Sequence, residues 1–353
     1  MSKKIDEFRM PAEWEPQKSV WIAWPHNKND WPGLFEKIPN IIGKIIKYLT
    51  KDQIIDLLVN NNKSIDTTRI YLKKIGCNIS KIKFHKLKTD RLWLRDSGPI
   101  FLVNKKNRKK TMLDFKFNAW SKYKNFGNDN KINNYISRYL NIKSILPKKV
   151  NSKKFVRVVM EGGAFDNNGS GSILLTKECL LSRKQERNKG FKKIDYENLF
   201  SKYLNAKNFI WLNKGIVGDD THGHIDDIAR FVSKSTIMIA VENNRSDKNY
   251  KALKENLKIL SKSYDENGKK LKIIKIPMPR PVVINETRVP ASYLNFFICN
   301  KIVLVPVFKD PKDKIVLRIF KRHFKSRKIV PVDCSILVWG FGTIHCLTQQ
   351  EPI

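Results

Sequence analysis

The chain has 353 residues, 41% of them hydrophobic, with 69 Lys and Arg against 33 Asp and Glu and a formal net charge of +36. That apolar content is ample for one large core or two, and no run of 18 or more apolar residues offers a membrane span. The basic residues are dispersed, with their densest runs at 105–110 and 321–328, so the charge reads as coding bias over a solvated surface rather than a specific nucleic-acid partner.

In chain order, the opening MSKKIDEFRMPAEW has no apolar segment of a secretory leader, and a cytoplasmic protein is expected. Strands are predicted at SVWIAWP, QIIDLLVN, PIFLVN, FVRVVM, SILLT, NFIWL, TIMIAVE, LKIIKI, KIVLVPVF and SILVW. Between them, residues 35–50 place Phe35, Ile38, Ile41, Ile42, Ile45 and Leu49 on one helical face, and residues 249–264 do the same with Leu253, Leu257 and Leu260. Further helices are predicted near 66–75, 129–140, 197–205 and 311–325. Alternating elements without a linker rich in Gly, Ser or Pro predict one compact α/β domain over residues 1–353.

The five cysteines, Cys77, Cys179, Cys299, Cys334 and Cys346, are odd in number and lack CxxC spacing, which argues against a disulfide framework or structural zinc. Cys77 at a helix end, and Cys179, Cys299 and Cys334 in strand-like apolar settings, read as packed thiols. Cys346 differs: it follows Gly340 and Gly342 and has a histidine beside it, the setting of a nucleophile. His224 and Asp226, two apart, would share a face on an extended segment, with Asp227 pointing the other way. Asp96 lies near Trp93, and Glu161 follows the predicted strand FVRVVM and is well placed to enter a central site.

A thiol, an imidazole and several carboxylates suit attack on a guanidinium carbon, since carboxylates grip the edges of that planar cation bidentately. The motifs RMPAEWEPQKSVWIAWP, WLRDSGP, FNAW, MEGGAF, GHIDDIARF, ASYLNFFICN and GTIHCLTQQ, in this order from Met10 to Gln350, resemble the agmatine deiminase family, itself similar to the peptidyl-arginine deiminases of the guanidino-group modifying superfamily. The resemblance implies a five-bladed α/β propeller (pentein) of pseudo-repeated ββαβ units around a central active site. It implies Cys346 as nucleophile, His224 as general acid and base, and Asp96 and Asp226 gripping the guanidinium. Glu161 is assigned to positioning the substrate or His224, and Trp93 and Trp120 to walling the channel. Without the family, Asp96 ahead of Ser97, Gly98 and Pro99 reads as a turn aspartate, and Glu161 before two glycines as a loop carboxylate.

The segment THGHIDD admits a rival, because His222, His224, Asp226 and Asp227 resemble a metal-binding HxHxDH run. The last position is Asp227 instead of histidine, and only His323 and His345 remain downstream as ligands, so no metal is expected. His222 departs from the Asp or Asn that agmatine deiminases carry there. His26, His85 and His323 read as surface or half-buried, and Trp14, Trp21 and Trp24 as core.

The activity implied is hydrolysis of agmatine to N-carbamoylputrescine and ammonia through a Cys-linked thiouronium, with no metal, nucleotide or flavin cofactor. Arginine or peptidyl-arginine is the alternative substrate, and would call for a channel arginine, for which Arg95, Arg183, Arg187 and Arg288 are candidates. More distant readings are a metal-dependent hydrolase and an idle basic binding protein. The partners expected are a small guanidino substrate and a second copy in a homodimer, with no membrane.

Overall fold

The computed structural model describes residues 7–150 and 155–353. Residues 1–6, which open the segment read for a leader, lie outside the described residues. The chain is α/β, and five of its sheets repeat one pattern. In each, a first strand pairs antiparallel with a second, and a helix then carries the chain to a third strand parallel to the second.

Ile100–Asn104 and Lys110–Leu113 are followed by helix Ile132–Leu140 and Ser144–Ile145. Phe165–Asn167 and Ser172–Thr176 are followed by helices Lys177–Leu181 and Lys193–Leu204, then Asn208–Leu212. Ala229–Ser233 and Thr236–Val241 precede helix Tyr250–Leu260 and Lys272–Pro277. Phe297–Ile298 and Ile302–Val307 precede helix Asp313–His323 and Lys328–Asp333. The remaining sheet joins the chain's ends: Gln349–Pro352 is its first strand, antiparallel to Gln17–Ala23, which runs parallel to Ile54–Val59 and, through it, to Ile82–Lys86.

Local sequence explains these elements. Helix Ile38–Leu49 has Pro39 in its first turn, where the missing N–H costs nothing, and buries Ile38, Ile42, Ile45, Ile46 and Leu49 along one stripe. Its neighbour strand Ile54–Val59 is almost wholly buried, as a parallel strand covered on both faces must be. Strand Gln349–Pro352 is polar yet buried, and two of its side chains find partners: Glu351 accepts from Ser19 Oγ at 3.1 Å, and Gln349 Nε2 donates to the Pro99 carbonyl at 2.8 Å.

Two predicted strands are absent. FVRVVM makes only isolated bridges, Arg157 with Lys148 and Val159 with Lys116, so it links two units without joining a ladder. SILVW coils into a 3-10 turn at Leu337–Gly340, where the Trp31 indole packs so closely on Gly340 that a Cβ would lie 2.6 Å from the ring. Cys179 lies on helix Lys177–Leu181, not on a strand. His85 is fully buried, with Nε2 2.9 Å from Asp56 Oδ1 and Nδ1 3.0 Å from Tyr135 Oη. The polar pairing satisfies a ring whose local sequence looks like surface. Trp21 is core as expected, whereas Trp14 and Trp24 only half enter it.

The short segments that lead into the five first strands converge. Turn Leu94–Ser97 packs against both Ile344–Leu347 and Gly162–Ala164, and the last of these packs against Ile225–Asp227. Residues far apart in the chain thus meet because each occupies the same place in its own unit.

Candidate active site

Asp96, Glu161, His224, Asp226 and Cys346 are all buried and lie together. The His224 ring sits between three carboxylates, with Nδ1 3.8 Å from Asp96 and 3.9 Å from Asp226, and Nε2 3.9 Å from Glu161. Neither ring nitrogen closes a hydrogen bond, and Glu161 Oε2 and Asp226 Oδ1 are likewise unpartnered. Orphaned buried atoms on two carboxylates and the imidazole between them mark a place prepared for a polar guest.

The loop that delivers His224 is wound around Asp219. Its Oδ1 accepts from Thr221 N and Oγ1, and its Oδ2 accepts from the backbone N–H groups of Gly223 and His224. His222 and Gly223 both take left-handed φ, 64° and 94°. Asn, Asp and His are the non-glycine residues most often found in this conformation, which is why His222 can stand here. Its ring turns to Ser182, Nε2 3.0 Å from Oγ, and it does not line the site's cavity.

The segment from 225 to 227 is a 3-10 turn rather than an extended strand, so the alternating-face argument for Asp227 fails. Asp227 is buried near Cys346 instead: Asn295 Nδ2 donates to its Oδ1 at 3.0 Å and to Cys346 Sγ at 3.1 Å.

Gly162 and Gly163 are required by crowding. A Cβ on Gly162 would lie 2.3 Å from the Arg95 carbonyl, and one on Gly163 would lie 2.6 Å from His224 Nδ1. The Gly163 N–H donates to Asp96 Oδ1 at 3.0 Å, and Trp120 Nε1 donates to Oδ2 at 2.9 Å. Trp120 reaches this position from a run of left-handed residues, Ala119, Trp120 and Ser121 with φ of 50°, 58° and 54°. Three such non-glycine residues in a row are strained, and strain of this kind collects at functional sites.

Electrostatics divide the groups. Burial pushes Asp96 up to about 6, with Asp226 and Glu161 adding to the rise and His224 and Trp120 opposing it. Burial would also raise Glu161, but Arg187 and His224 outweigh it and hold this carboxyl at about 2. Asp226 is lowered, since His345 and His224 overcome burial. His224 is raised well above its ordinary value despite burial, by Asp96, Cys179 and Glu161. Cys346 is raised well above its own by burial and by Asp226, Asp227 and Asp96, against which Asn295 works in the other direction.

A cavity of about 580 Å³ opens onto this centre, with Asp96 and Cys346 at its buried end and Trp93, Trp120 and Trp339 among its walls. His224, Asp226 and Glu161 lie beneath that lining. None of the four arginines considered from sequence lines it: Arg95 and Arg187 are buried beside Glu13 and Glu161, Arg288 pairs with Asp247, and Arg183 is exposed. Arg91 does line it, with Nη1 2.6 Å from Asp30 Oδ1 and its guanidinium 4.1 Å from the Tyr123 ring centroid.

Three participants were not foreseen: Glu13, Asn295 and His345. His345 lies beside Cys346, and Glu13 and Asn295 sit inside RMPAEWEP and ASYLNFFICN, but nothing in those strings tells such a residue from a structural one. For a metal, the ligand atoms of Glu161, Cys179 and His224 come within 4.8 Å of one another. This is not the set suggested by THGHIDD, because His222 faces elsewhere, and Arg187 Nε, 3.0 Å from Glu161, already balances that carboxylate.

The Porphyromonas-type peptidyl-arginine deiminase profile matches residues 9–352. A protein of Legionella pneumophila (strain Paris), provisionally named an agmatine deiminase, is 33% identical over 350 residues, covering 98% of this chain and 95% of its own. The solved agmatine deiminase of Enterococcus faecalis superposes with a TM-score of 0.87 at 28% identity, covering 99% of this chain and 97% of that one. An agmatine deiminase of C. jejuni with substrate bound gives 0.85 at 27% identity, with 98% and 96% covered.

Proposed function

Because the chain belongs to the Porphyromonas-type peptidyl-arginine deiminase family, we propose that it is an agmatine deiminase, a hydrolase that cleaves a C–N bond of agmatine to give N-carbamoylputrescine and ammonia on the way to putrescine. The observation that carries this reading is the meeting of Cys346, His224 and the carboxylates Asp96 and Asp226 at the end of one aromatic-walled cavity.

The guanidinium enters between Asp96 and the unpartnered Oδ1 of Asp226. Its charge offsets the carboxylates that keep Cys346 protonated, so as the cation arrives the thiol gives its proton to solvent water in the cavity. The sulfur then adds to the central carbon. His224, held cationic by the acids around it, gives its proton to the departing nitrogen, and ammonia leaves as the C–N bond breaks. Water attacks the resulting thiouronium and one of its protons passes to His224; as the C–S bond breaks, the remaining hydroxyl proton passes to the sulfur, which frees the ureido product and restores the Cys346 thiol. Glu161 positions His224, and Trp93 and Trp120 wall the path of the butyl chain.

The five sheets of one pattern, closed by pairing of the C-terminal strand with Gln17–Ala23, support a five-bladed α/β propeller forming one catalytic domain over residues 1–353. The cytoplasm is the compartment proposed; five free cysteines suit a reducing environment, and no helix among the described residues is long and apolar enough to cross a membrane. A homodimer is proposed as the assembly, to be read by light scattering.

One observation favours a second reading, free or peptidyl arginine: Arg91 in the cavity lining is a partner for a substrate carboxylate. Ammonia and ureido release measured across agmatine, arginine and arginyl peptides decides between them. Cys346→Ser must abolish turnover with the fold intact and Cys334→Ser must retain it. Survival of Cys346→Ser, or equal loss in both, overturns the nucleophile.

A further inference from the structure

Four of the five converging segments supply the groups already described; the fifth, leading into Phe297–Ile298, supplies Asn295. Its side chain is buried and fully engaged. Oδ1 accepts from Thr343 Oγ1 at 2.9 Å, from His345 N at 3.0 Å and from Cys346 N at 3.3 Å. Nδ2 donates to Asp227 Oδ1 at 3.0 Å and to Cys346 Sγ at 3.1 Å. Donors on one side and acceptors on the other leave the amide a single orientation, because a flip would set N–H against N–H and oxygen against carboxylate.

The sulfur needs such a neighbour. It faces Asp226 Oδ2 at 3.8 Å, and Asp96 shares its end of the cavity, so its charged surroundings disfavour a thiolate. An N–H aimed at Sγ is stabilising once the sulfur becomes an anion, and it costs no reorganisation because Asp227 and the turn at 343–346 already hold the amide in place.

We propose that Asn295 is a catalytic residue: its Nδ2–H stabilises the Cys346 thiolate, Asp227 orients the amide, and its Oδ1 fixes the turn that presents the sulfur. The inference rests on Cys346 being the nucleophile of the deiminase reading.

Alkylation of Cys346 by iodoacetamide, followed by peptide mass spectrometry at a fixed, mildly alkaline pH, reads the thiolate without turnover. Asn295→Asp keeps the acceptor oxygen and removes the donor, while Asn295→Ser withdraws the donor without adding charge. Both should slow alkylation, and lower kcat/KM, by roughly 10- to 100-fold, with melting curves near wild type and the alkylation profile displaced to higher pH. Wild-type alkylation in Asn295→Ser, or slowing in Asn295→Asp alone, overturns the proposal, since the latter is the effect of added charge. If neither variant folds, the unmutated protein decides: in asparagine-labelled enzyme one side-chain 15N signal must shift when Cys346 is alkylated, and no shift overturns the contact. Protein that shows this alkylation pattern but releases no ammonia from agmatine upholds the Asn295 contact and counts against the substrate reading instead.

Discussion

His345 Nδ1 lies 2.7 Å from Asp226 Oδ2, so the residue next to Cys346 holds one of the carboxylates around His224. The other ring nitrogen is 2.8 Å from Glu13 Oε2. Glu13 is itself anchored: burial would raise its carboxyl, but Arg230, His345 and Arg95 outweigh burial and hold it at about 2. A chain of contacts therefore runs from Arg230 through Glu13 and His345 to Asp226 and leaves only Asp226 Oδ1 free.

That chain makes His345 a positioning residue. His345→Ala should lower kcat/KM for agmatine by roughly 10², mostly in kcat, because a misaimed carboxylate harms the transition state more than encounter. The thermal midpoint should also fall, since Glu13 and Asp226 lose a shared partner inside the core. Steady-state rates and calorimetry check both; unchanged kcat with lowered stability would reduce His345 to a packing role.

Asp96 gives the reaction its acid limb. Burial raises its carboxyl to about 6, so below that pH it is protonated in the free enzyme and cannot grip a cation. The value is raised, so the ionised form needed for binding is lost as pH falls through about 6, and kcat/KM should drop about tenfold per pH unit below it. Asp96→Asn should remove this limb and leave a profile flat on the acid side, at a level roughly 10² lower. A variant that keeps the same limb would assign it to another group.

Arg91 separates the substrates. It lines the cavity, paired with Asp30 and stacked over Tyr123. If a carboxylate-bearing substrate is used, Arg91→Ala should raise KM for arginine about tenfold or more while leaving agmatine near normal. Similar KM changes for both would mean that Arg91 only shapes the wall.

How much of this was readable beforehand depends on what kind of signal each residue left. Cys346, His224 and Asp226 stand in short strings of chemically suggestive neighbours, whereas Asp96 and Glu161 look locally like turn and loop carboxylates and stand out only through the family resemblance; the structure gathers all five. An extended backbone would turn Asp227 away from Asp226, whereas 225–227 coils into a turn that sets it against Asn295. Glu13 lies 332 residues from the His345 it meets, and no local periodicity encodes an encounter between segments that far apart in the chain. Strand Lys328–Asp333 was hidden in the charged run before it, and strand Gln349–Pro352 in its own polarity, since Gln349, Gln350 and Glu351 give no apolar pattern to read. The helix at 38–49 was plain because one apolar stripe does all its packing.

Gly163 tests the geometry of the centre as a whole. A methyl group there would sit 2.6 Å from His224 Nδ1, 2.9 Å from Asp96 Oδ1 and 3.0 Å from Asp226 Oδ2. Its φ is not in the left-handed region, so Gly163→Ala imposes no backbone strain and the cost is the displacement of those three groups. A shift of even a few tenths of an ångström misaligns the ring and both grips, and kcat/KM should fall roughly 10² or more. The Gly163 N–H that donates to Asp96 is retained, so the fold should survive and the loss should appear in kcat rather than in the melting curve. Gly127→Ala is the control: a Cβ there meets nothing within 4 Å, and its φ is also unexceptional. It should be indistinguishable from wild type. Normal turnover by Gly163→Ala would mean that His224, Asp96 and Asp226 do not close on the substrate in the arrangement described.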